Sequence, residues 1–593
     1  MTTATPDILA LRGTIAELLS AIVAEERAQA GRIALALPRH RQSAENLAHY
    51  LAIRNRDVHR LQLDLAAVGL SSLGRSEGHV RDLLLRLDGW LSGRRRRAVD
   101  PGERLDWAAA EGLLHANTEA LFGPRPEGRH VHIMVTAPET ITDAWADELL
   151  AAGANLLRIN AAHGTPEAWA ATAATFKARA AARGRPCRVF IDLPGPKLRA
   201  DVVGQREAVI HLPRHKDRLG RPVEPTIVGL VASYGGGPQI PVPQAWLADL
   251  APNDRLELVD SGGRRRELTV IDRQGGEVRA SSDRSLFLTS SLPIAWWRGD
   301  RLLAKGETGE LPAEPAVALL GPGDPFLIRP PGDLRESSMP VLSLPEPHLL
   351  ARVKAGERVV LDDAKLVAVV EEASPEGLRC RVKHATSERV KLRSGKGVAF
   401  PDSDLEHGHL GAHDALALRV ALEHADGVGV SFVNTPEDVS LVGQRIRESG
   451  RQGFGMILKL ETRSATRHLP AILFEALQYD AVGLMIARGD LAVELSFERL
   501  AEMQEEILWF GEACHLPVIW ATQVLDSAAR CGLPTRAEIT DAAMSMRAEC
   551  VMLNKGPQIA VATRMLADII SKMEAHQYKK RALYRKLAMA AGA

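Results

Sequence analysis

Lys459 and Glu461 alternate in the apolar run MILKLE (456–461), so both side chains leave the same face of any strand built there. An ammonium beside a carboxylate can offset charge on a transferring group while the carboxylate holds a hard cation. The same pair would also serve as a plain ion pair inside a barrel. Asp490, in Ala487-Arg488-Gly489-Asp490, is a second carboxylate, directly after the apolar run AVGLMIA (481–487). Together Glu461 and Asp490 suit Mg2+, with Mn2+ as the alternative, kept partly hydrated and shared with a phosphate. Polar groups close further apolar runs: Arg158 and Asn160 in NLLRIN (155–160), Asp192 in CRVFID (187–192), Ser431 in GVGVSF (427–432) and Thr522 in PVIWAT (517–522). Any one of them could merely end a strand at the surface. Recurring on successive runs, they describe one polar rim able to grip phosphate and a divalent ion.

The elements that must position this rim alternate regularly. VHIMVT (131–136), NLLRIN and CRVFID are each followed by helical spacing or a turn; after a gap come GVGVSF, MILKLE, AVGLMIA, PVIWAT and ECVMLN (549–554). Three strands and then five, each leading into a helix, predict a TIM (β/α)8 barrel of class α/β, with functional groups at the C-terminal strand ends. An open doubly wound sheet is the alternative, but no glycine-rich turn follows the first strand. The gap, 200–397, is written in short β-branched runs with many Pro and Gly, and predicts an inserted β domain. APNDRLELVD (251–260) resembles KAGERVVLDD (354–363), which suggests two related β modules joined by a proline-rich connector. Residues 1–128 carry helical periodicity, as in Leu47, Leu51, Val58, Leu61, Leu65 and Val68, and include the basic run Arg94-Arg95-Arg96-Arg97, read as a solvated helix end. The expected division is an N-terminal helical domain (1–128), a first barrel segment (129–199), the β insert (200–397), a second barrel segment (398–576) and a tail (577–593).

Bulk properties exclude some functions. Over 593 residues, Lys+Arg and Asp+Glu balance at 74 each, which argues against bulk attraction to nucleic acid or a membrane surface. The five cysteines are scattered without metal-ligand spacing, so free thiols in a reducing cytoplasm are expected. The N-terminal residues lack a basic segment followed by an apolar stretch, and no window approaches a membrane span.

LKLETRSA (458–465), MIARGDLAVEL (485–495), VIWATQVLDS (518–527) and PTRAEITDAA (534–543) closely resemble motifs of the pyruvate kinase family, as do LLRINAAHG (156–164) and IDLPGPKLR (191–199). The resemblance implies a phosphotransferase of glycolysis that moves the phosphoryl group of phosphoenolpyruvate to ADP, giving pyruvate and ATP, in a homo-oligomer. It implies Mg2+ and substrate at Glu461 and Asp490, and Lys459 stabilising the transferring phosphoryl group and the enolate oxygen. Arg158 would contact the phosphate, while Asn160, Asp192 and Ser431 shape the pocket. The backbone of Ala487, Arg488 and Gly489 would receive the substrate carboxylate, and Thr522 would take part in protonating the enolate. Arg199 and Lys396, at the two ends of the insert, and His163 would face the nucleotide; Lys396 reads equally well as a solvated loop lysine and His163 as a packed histidine. The insert would close as a lid.

Departures from the family pattern carry expectations of their own. Ala162 and Leu193 stand where potassium-dependent members have hydroxyl residues, and Lys197 where they have glutamate. Lys197, grouped with Asp192, is therefore expected to supply the positive charge of the monovalent cation, so that K+ is not required. At strand eight, Asn554-Lys555-Gly556-Pro557 replaces the family's usual turn. After the last barrel helix only AHQYKKRALYRKLAMAAGA remains, read as a helical tail where that family has a regulatory domain with a sugar-bisphosphate pocket. Two other functions stay in view: a Mg2+-dependent enolate enzyme acting on another 2-oxo acid, and a catalytically silent regulatory protein whose N-terminal helices bind a partner.

Overall fold

The computed structural model describes residues 6–93, 105–216, 222–274, 277–333, 335, 337–403, 405, 410–579 and 581–583. The run Arg94–Arg97 lies outside them. Two compact units form: 1–198 with 357–364 and 398–593, and 199–356 with 365–397.

In the first unit eight parallel strands close into a barrel in chain order: His132–Thr136, Leu156–Asn160, Arg188–Asp192, Gly427–Val430, Gly455–Leu460, Ala481–Ala487, Val518–Ala521 and Cys550–Leu553. Numbered one to eight here, they are apolar runs buried almost throughout, because both faces are covered. Outward residues such as Ile133, Leu157, Leu458, Leu484 and Trp520 pack against the surrounding helices. Inward residues, among them Met134, Phe190, Ile457, Met485 and Met552, fill the interior together with Leu121 and Phe122. Those last two end the helix Trp107–Phe122, whose C-terminus plugs the barrel from below. Glycine makes room for the plug: a Cβ on Gly483 of strand six would lie 2.5 Å from Leu121 Cδ2. Threonine hydroxyls cap several barrel helices, Thr142 accepting from the Trp145 N–H and Thr462 from that of Ala465. Thr535 and Glu538 form a capping box on Arg536–Ser545.

The N-terminal residues are helical as expected. Leu11, Ile15, Leu18 and Ile22 line one face of the helix Ile8–Ala28 and bury against Tyr50, Ile53, Leu84 and Leu87. Polar bonds join these helices to the barrel: Ser43 Oγ lies 2.9 Å from His515 Nδ1, and the Asn46 amide donates to Glu77 O and Ala513 O.

The second unit repeats one arrangement twice. Thr226–Val231 pairs parallel with Gln239–Pro241 and antiparallel with Glu277–Ser282, which pairs with Arg265–Gln274. In the same chain order, Pro325–Arg329 pairs parallel with Val341–Ser343 and antiparallel with Gly377–Ala385, which pairs with Leu366–Ser374. A four-residue helix follows each parallel pair, Gln244–Leu247 and Pro347–Leu350. Even the turn bonds correspond: the Asn253 N–H donates to Val270 O and the Gly356 N–H to Val370 O, both residues at positive φ. The proline-rich stretch is therefore more than a connector. It supplies strands Pro325–Arg329 and Val341–Ser343, with Pro325 tolerated as the first residue of its strand. Residues 357–364, expected in the insert, fall in the first unit, where the Arg358 guanidinium grips Asp402 and Arg358–Leu361 pairs with Val398 and Ala399.

The tail departs from its helical reading. Gln577–Tyr578 pairs antiparallel with Arg581–Ala582, held by buried charges described below, and residues 584–593 lie outside the described chain. Among the described residues no helix is long and apolar enough to cross a membrane, and all five cysteines are free.

Candidate active site

The C-terminal strand ends bring most of the predicted residues together. The Lys459 ammonium donates to Ser431 Oγ at 2.6 Å and lies 3.1 Å from Glu461 Oε1 and 3.3 Å from Asp192 Oδ2. The Ser431 hydroxyl in turn donates to Leu193 O at 2.7 Å. Arg158 Nε donates to Asp192 Oδ2 at 2.7 Å and Nη1 to Thr136 Oγ1 at 3.2 Å. Lys459, Asp192 and Glu461 side chains are only 8%, 2% and 3% exposed, so these charges interact in a medium that screens them little. Room for Asp192 comes from the neighbouring strand, where a Cβ on Gly429 would sit 2.1 Å from Asp192 Oδ1.

Burial and charge pull against each other in this cluster. Burial alone would raise the Asp192 pKa, but Arg158 and Lys459 outweigh it and hold the carboxyl below its ordinary value. Burial disfavours the Lys459 ammonium, yet Glu461 and Asp192 together push its pKa up. Glu461 is raised by burial and by the Asp490 charge, against the opposing pull of Lys459 and the Phe432 N–H, which donates to Oε2 at 2.6 Å. Glu461 thus feels both the Lys459 ammonium and the charge of Asp490. Among the described residues no group of three or more His, Cys, Asp or Glu side chains is arranged to hold a metal. Two protein carboxylates, with water and substrate oxygens completing the shell, nevertheless suit Mg2+.

Lys197 is placed between two carboxylates. Its ammonium lies 2.6 Å from Asp490 Oδ1 and 3.7 Å from Asp363, while Asp192 is committed to Arg158 and Lys459. Lys197 and Asp192 are not a pair; the cation faces Asp490.

Ala487, Arg488 and Gly489 lie where strand six enters the helix Arg488–Leu495. The helix begins without a side-chain cap, so its first turn presents N–H groups and positive potential suited to a carboxylate. One of those donors is engaged: the Gly489 N–H donates to Thr522 Oγ1 at 2.9 Å. The Arg488 side chain turns toward strand seven and is bound there to Asp541 and to the carbonyls of Ala521 and Thr522.

Asn160 Oδ1 accepts from the Ala162 N–H and shapes the turn after strand two. His163 is exposed, its carbonyl taken by the Trp169 indole. Arg199 and Lys396 belong to the second unit, on adjacent strands, with Arg199 Nη1 donating to Gly395 O. Thr136, which holds Arg158, and Asp414, whose Oδ1 accepts from the Gly195 N–H, were not legible as site residues because each acts across the fold on a distant segment. Asp541 lies within PTRAEITDAA, yet nothing in its spacing announces that it binds Arg488.

The family description "Pyruvate kinase, barrel domain" matches residues 323–558. Pyruvate kinase 2 of Synechocystis is 33% identical over 264 residues, 42% of this chain and 42% of that protein. Pyruvate kinase PKLR of Rattus norvegicus is 32% identical over 41% of this chain and 42% of its own length. A pyruvate kinase of Mycobacterium tuberculosis is 35% identical over 37% of this chain and 46% of its own. The chain thus spans less than half the length of these curated relatives.

Proposed function

We propose that this chain acts as a pyruvate kinase, the family its barrel resembles, and transfers the phosphoryl group of phosphoenolpyruvate to ADP, giving pyruvate and ATP. The observation that carries this reading is the buried Lys459 ammonium set between Asp192 and Glu461, with Asp490 close enough to Glu461 to raise its pKa. A carboxylate crowded by a like charge is a poor structural ion pair and a good half-site for a divalent ion.

In this proposal the Arg158 guanidinium, braced by Asp192 and Thr136, faces the phosphoryl group. Lys459 offsets the charge that develops on the transferring group and on the enolate oxygen. The first turn of the helix Arg488–Leu495 receives the substrate carboxylate, and Thr522 serves the proton transfer to the enolate carbon. Glu461 and Asp490 would hold Mg2+, which supplies Lewis-acid polarisation of phosphate oxygens when bound. The Lys197 ammonium beside Asp490 would do the electrostatic work of a monovalent cation, so turnover should not need K+.

A purified-protein assay with phosphoenolpyruvate, ADP and Mg2+, with and without K+, tests this. Equimolar pyruvate and ATP in both buffers are expected; strict dependence on K+ would remove the role given to Lys197. A second reading, enolate chemistry on another 2-oxo acid without ADP, is favoured by Asn554–Pro557, the altered turn that ends strand eight. Metal-dependent product formation with ADP omitted would select it.

A further inference from the structure

Arg488 sits at the rim, in the motif that meets substrate, yet its guanidinium faces away from an incoming anion. Nε donates to Ala521 O at 2.9 Å and Nη2 to Thr522 O. Nη1 and Nη2 meet the two Asp541 oxygens at 2.5 and 2.9 Å, and the guanidinium carbon lies 4.8 Å from the centre of the Trp520 ring. The Trp520 indole also donates to Asp541 Oδ1 at 3.3 Å. A planar, bidentate and stacked guanidinium with every edge engaged is a fastener, not a phosphate grip.

What it fastens is an unusual stretch of backbone. Directly after strand seven, Thr522, Gln523 and Leu525 have φ of +66°, +56° and +49°. A β-branched threonine rarely adopts that conformation, and persists in it only where its surroundings over-determine it. Arg488 clamps the two carbonyls at the point of departure. The turn then aims Thr522 Oγ1 back at strand six, where it accepts the Gly489 N–H. The loop is closed: the side chain of residue 488 holds residue 522, whose side chain holds residue 489.

We propose that Asp541 is a positioning residue which, through Arg488, fixes the Thr522 hydroxyl for proton transfer while leaving substrate capture to other groups. This rests on the pyruvate kinase reading for what Thr522 does, but the clamp itself does not. Asp541→Asn keeps the shape and removes the charge. Its turnover number should fall at least tenfold, with KM for ADP and for phosphoenolpyruvate little changed. In a Thr522→Ala background the same substitution should cost less than twofold more, because the hydroxyl it positions is already gone. Asp541→Glu should recover part of the loss. Hydrogen exchange of the peptide carrying the Gly489 amide should quicken in Asp541→Asn. Should that variant fail to fold, Trp520→Phe, which removes the indole donor and shrinks the ring stacked on Arg488, should move the same readouts less far. Equal losses in both backgrounds, a rise in KM alone, or unchanged exchange at Gly489 would overturn the proposal. If the wild-type protein makes no pyruvate from phosphoenolpyruvate and ADP, the functional reading falls, and the exchange measurement still decides for or against the clamp.

Discussion

Two buried lysines mark opposite ends of the same barrel. At the N-terminal end Lys579 donates to Glu549 Oε1, while Glu549 Oε2 accepts the Val518 N–H at 2.8 Å. Tyr578 donates to Glu111, and Arg581 lies 3.6 Å from Glu111 and 3.7 Å from Glu512. At the other end Lys459 is set between Asp192 and Glu461. Burial disfavours both ammonium groups, and in both the surrounding carboxylates win and raise the pKa. A buried lysine among acids is therefore no sign of catalysis. The ends differ in how the acids are balanced. Below, cations and backbone donors meet the carboxylates and tie the C-terminal hairpin to the helix Trp107–Phe122. Above, Glu461 is raised first by burial and also by the charge of Asp490, although Lys459 and Lys197 each pair with one of the two. One cluster ties down a hairpin; the other gathers two carboxylates and two ammonium groups at the barrel mouth.

This contrast can be broken by exchanging each lysine for methionine. Lys579→Met leaves buried carboxylates without their cation and should destabilise the fold by about 3–5 kcal/mol, read by chemical denaturation. Its turnover per folded molecule should be that of the wild type. Lys459→Met should do the reverse, lowering the turnover number by roughly 10²–10³-fold, the scale of losing one transition-state charge stabiliser, with a smaller stability loss than Lys579→Met.

Acid sharpens the comparison at a third place, where the N-terminal helices meet the barrel. Burial holds the His515 imidazole down at about 4, between Ser43 Oγ and Gly78 O. The unfolded chain would protonate it near 6.5. Stability from the neutral ring is complete above that value and is lost as pH falls from it through the folded value, roughly 3 kcal/mol in all. Urea titrations of wild type and His515→Gln should show this extra acid sensitivity in the wild type alone. The smallest effect concerns the monovalent ion. Added K+ should leave wild-type turnover unchanged, whereas Lys197→Gln, which strips Asp490 of its ammonium partner, should lose activity that K+ partly restores.

The barrel was legible because each strand is an apolar run covered on both faces, and because polar residues fall at the same end of every run. That rule located Lys459, Glu461, Asp192 and Arg158 before any geometry. It could not say which charge faces which, and the approach of the Lys197 ammonium to Asp490 is not written in the spacing. Nor could it find contacts made across long loops: the Phe432 N–H on Glu461, or Asp541 on Arg488. Leu121 and Phe122 read as an ordinary helix end, since nothing local tells a plug from a surface helix. The described part of the tail, 577–579 and 581–583, differs for another reason: its helical composition is overruled by ion pairs from Glu111, Glu512 and Glu549, each distant in sequence.

The central proposal is that Glu461 and Asp490 hold one divalent ion, beside the Lys459 ammonium, for phosphoryl transfer. Pyruvate release from phosphoenolpyruvate and ADP, titrated with Mg2+ in the wild type and in Glu461→Gln, tests it most directly. The account predicts saturable Mg2+-dependent release that Glu461→Gln abolishes. Release that needs no divalent ion, or that survives unchanged in Glu461→Gln, would contradict it.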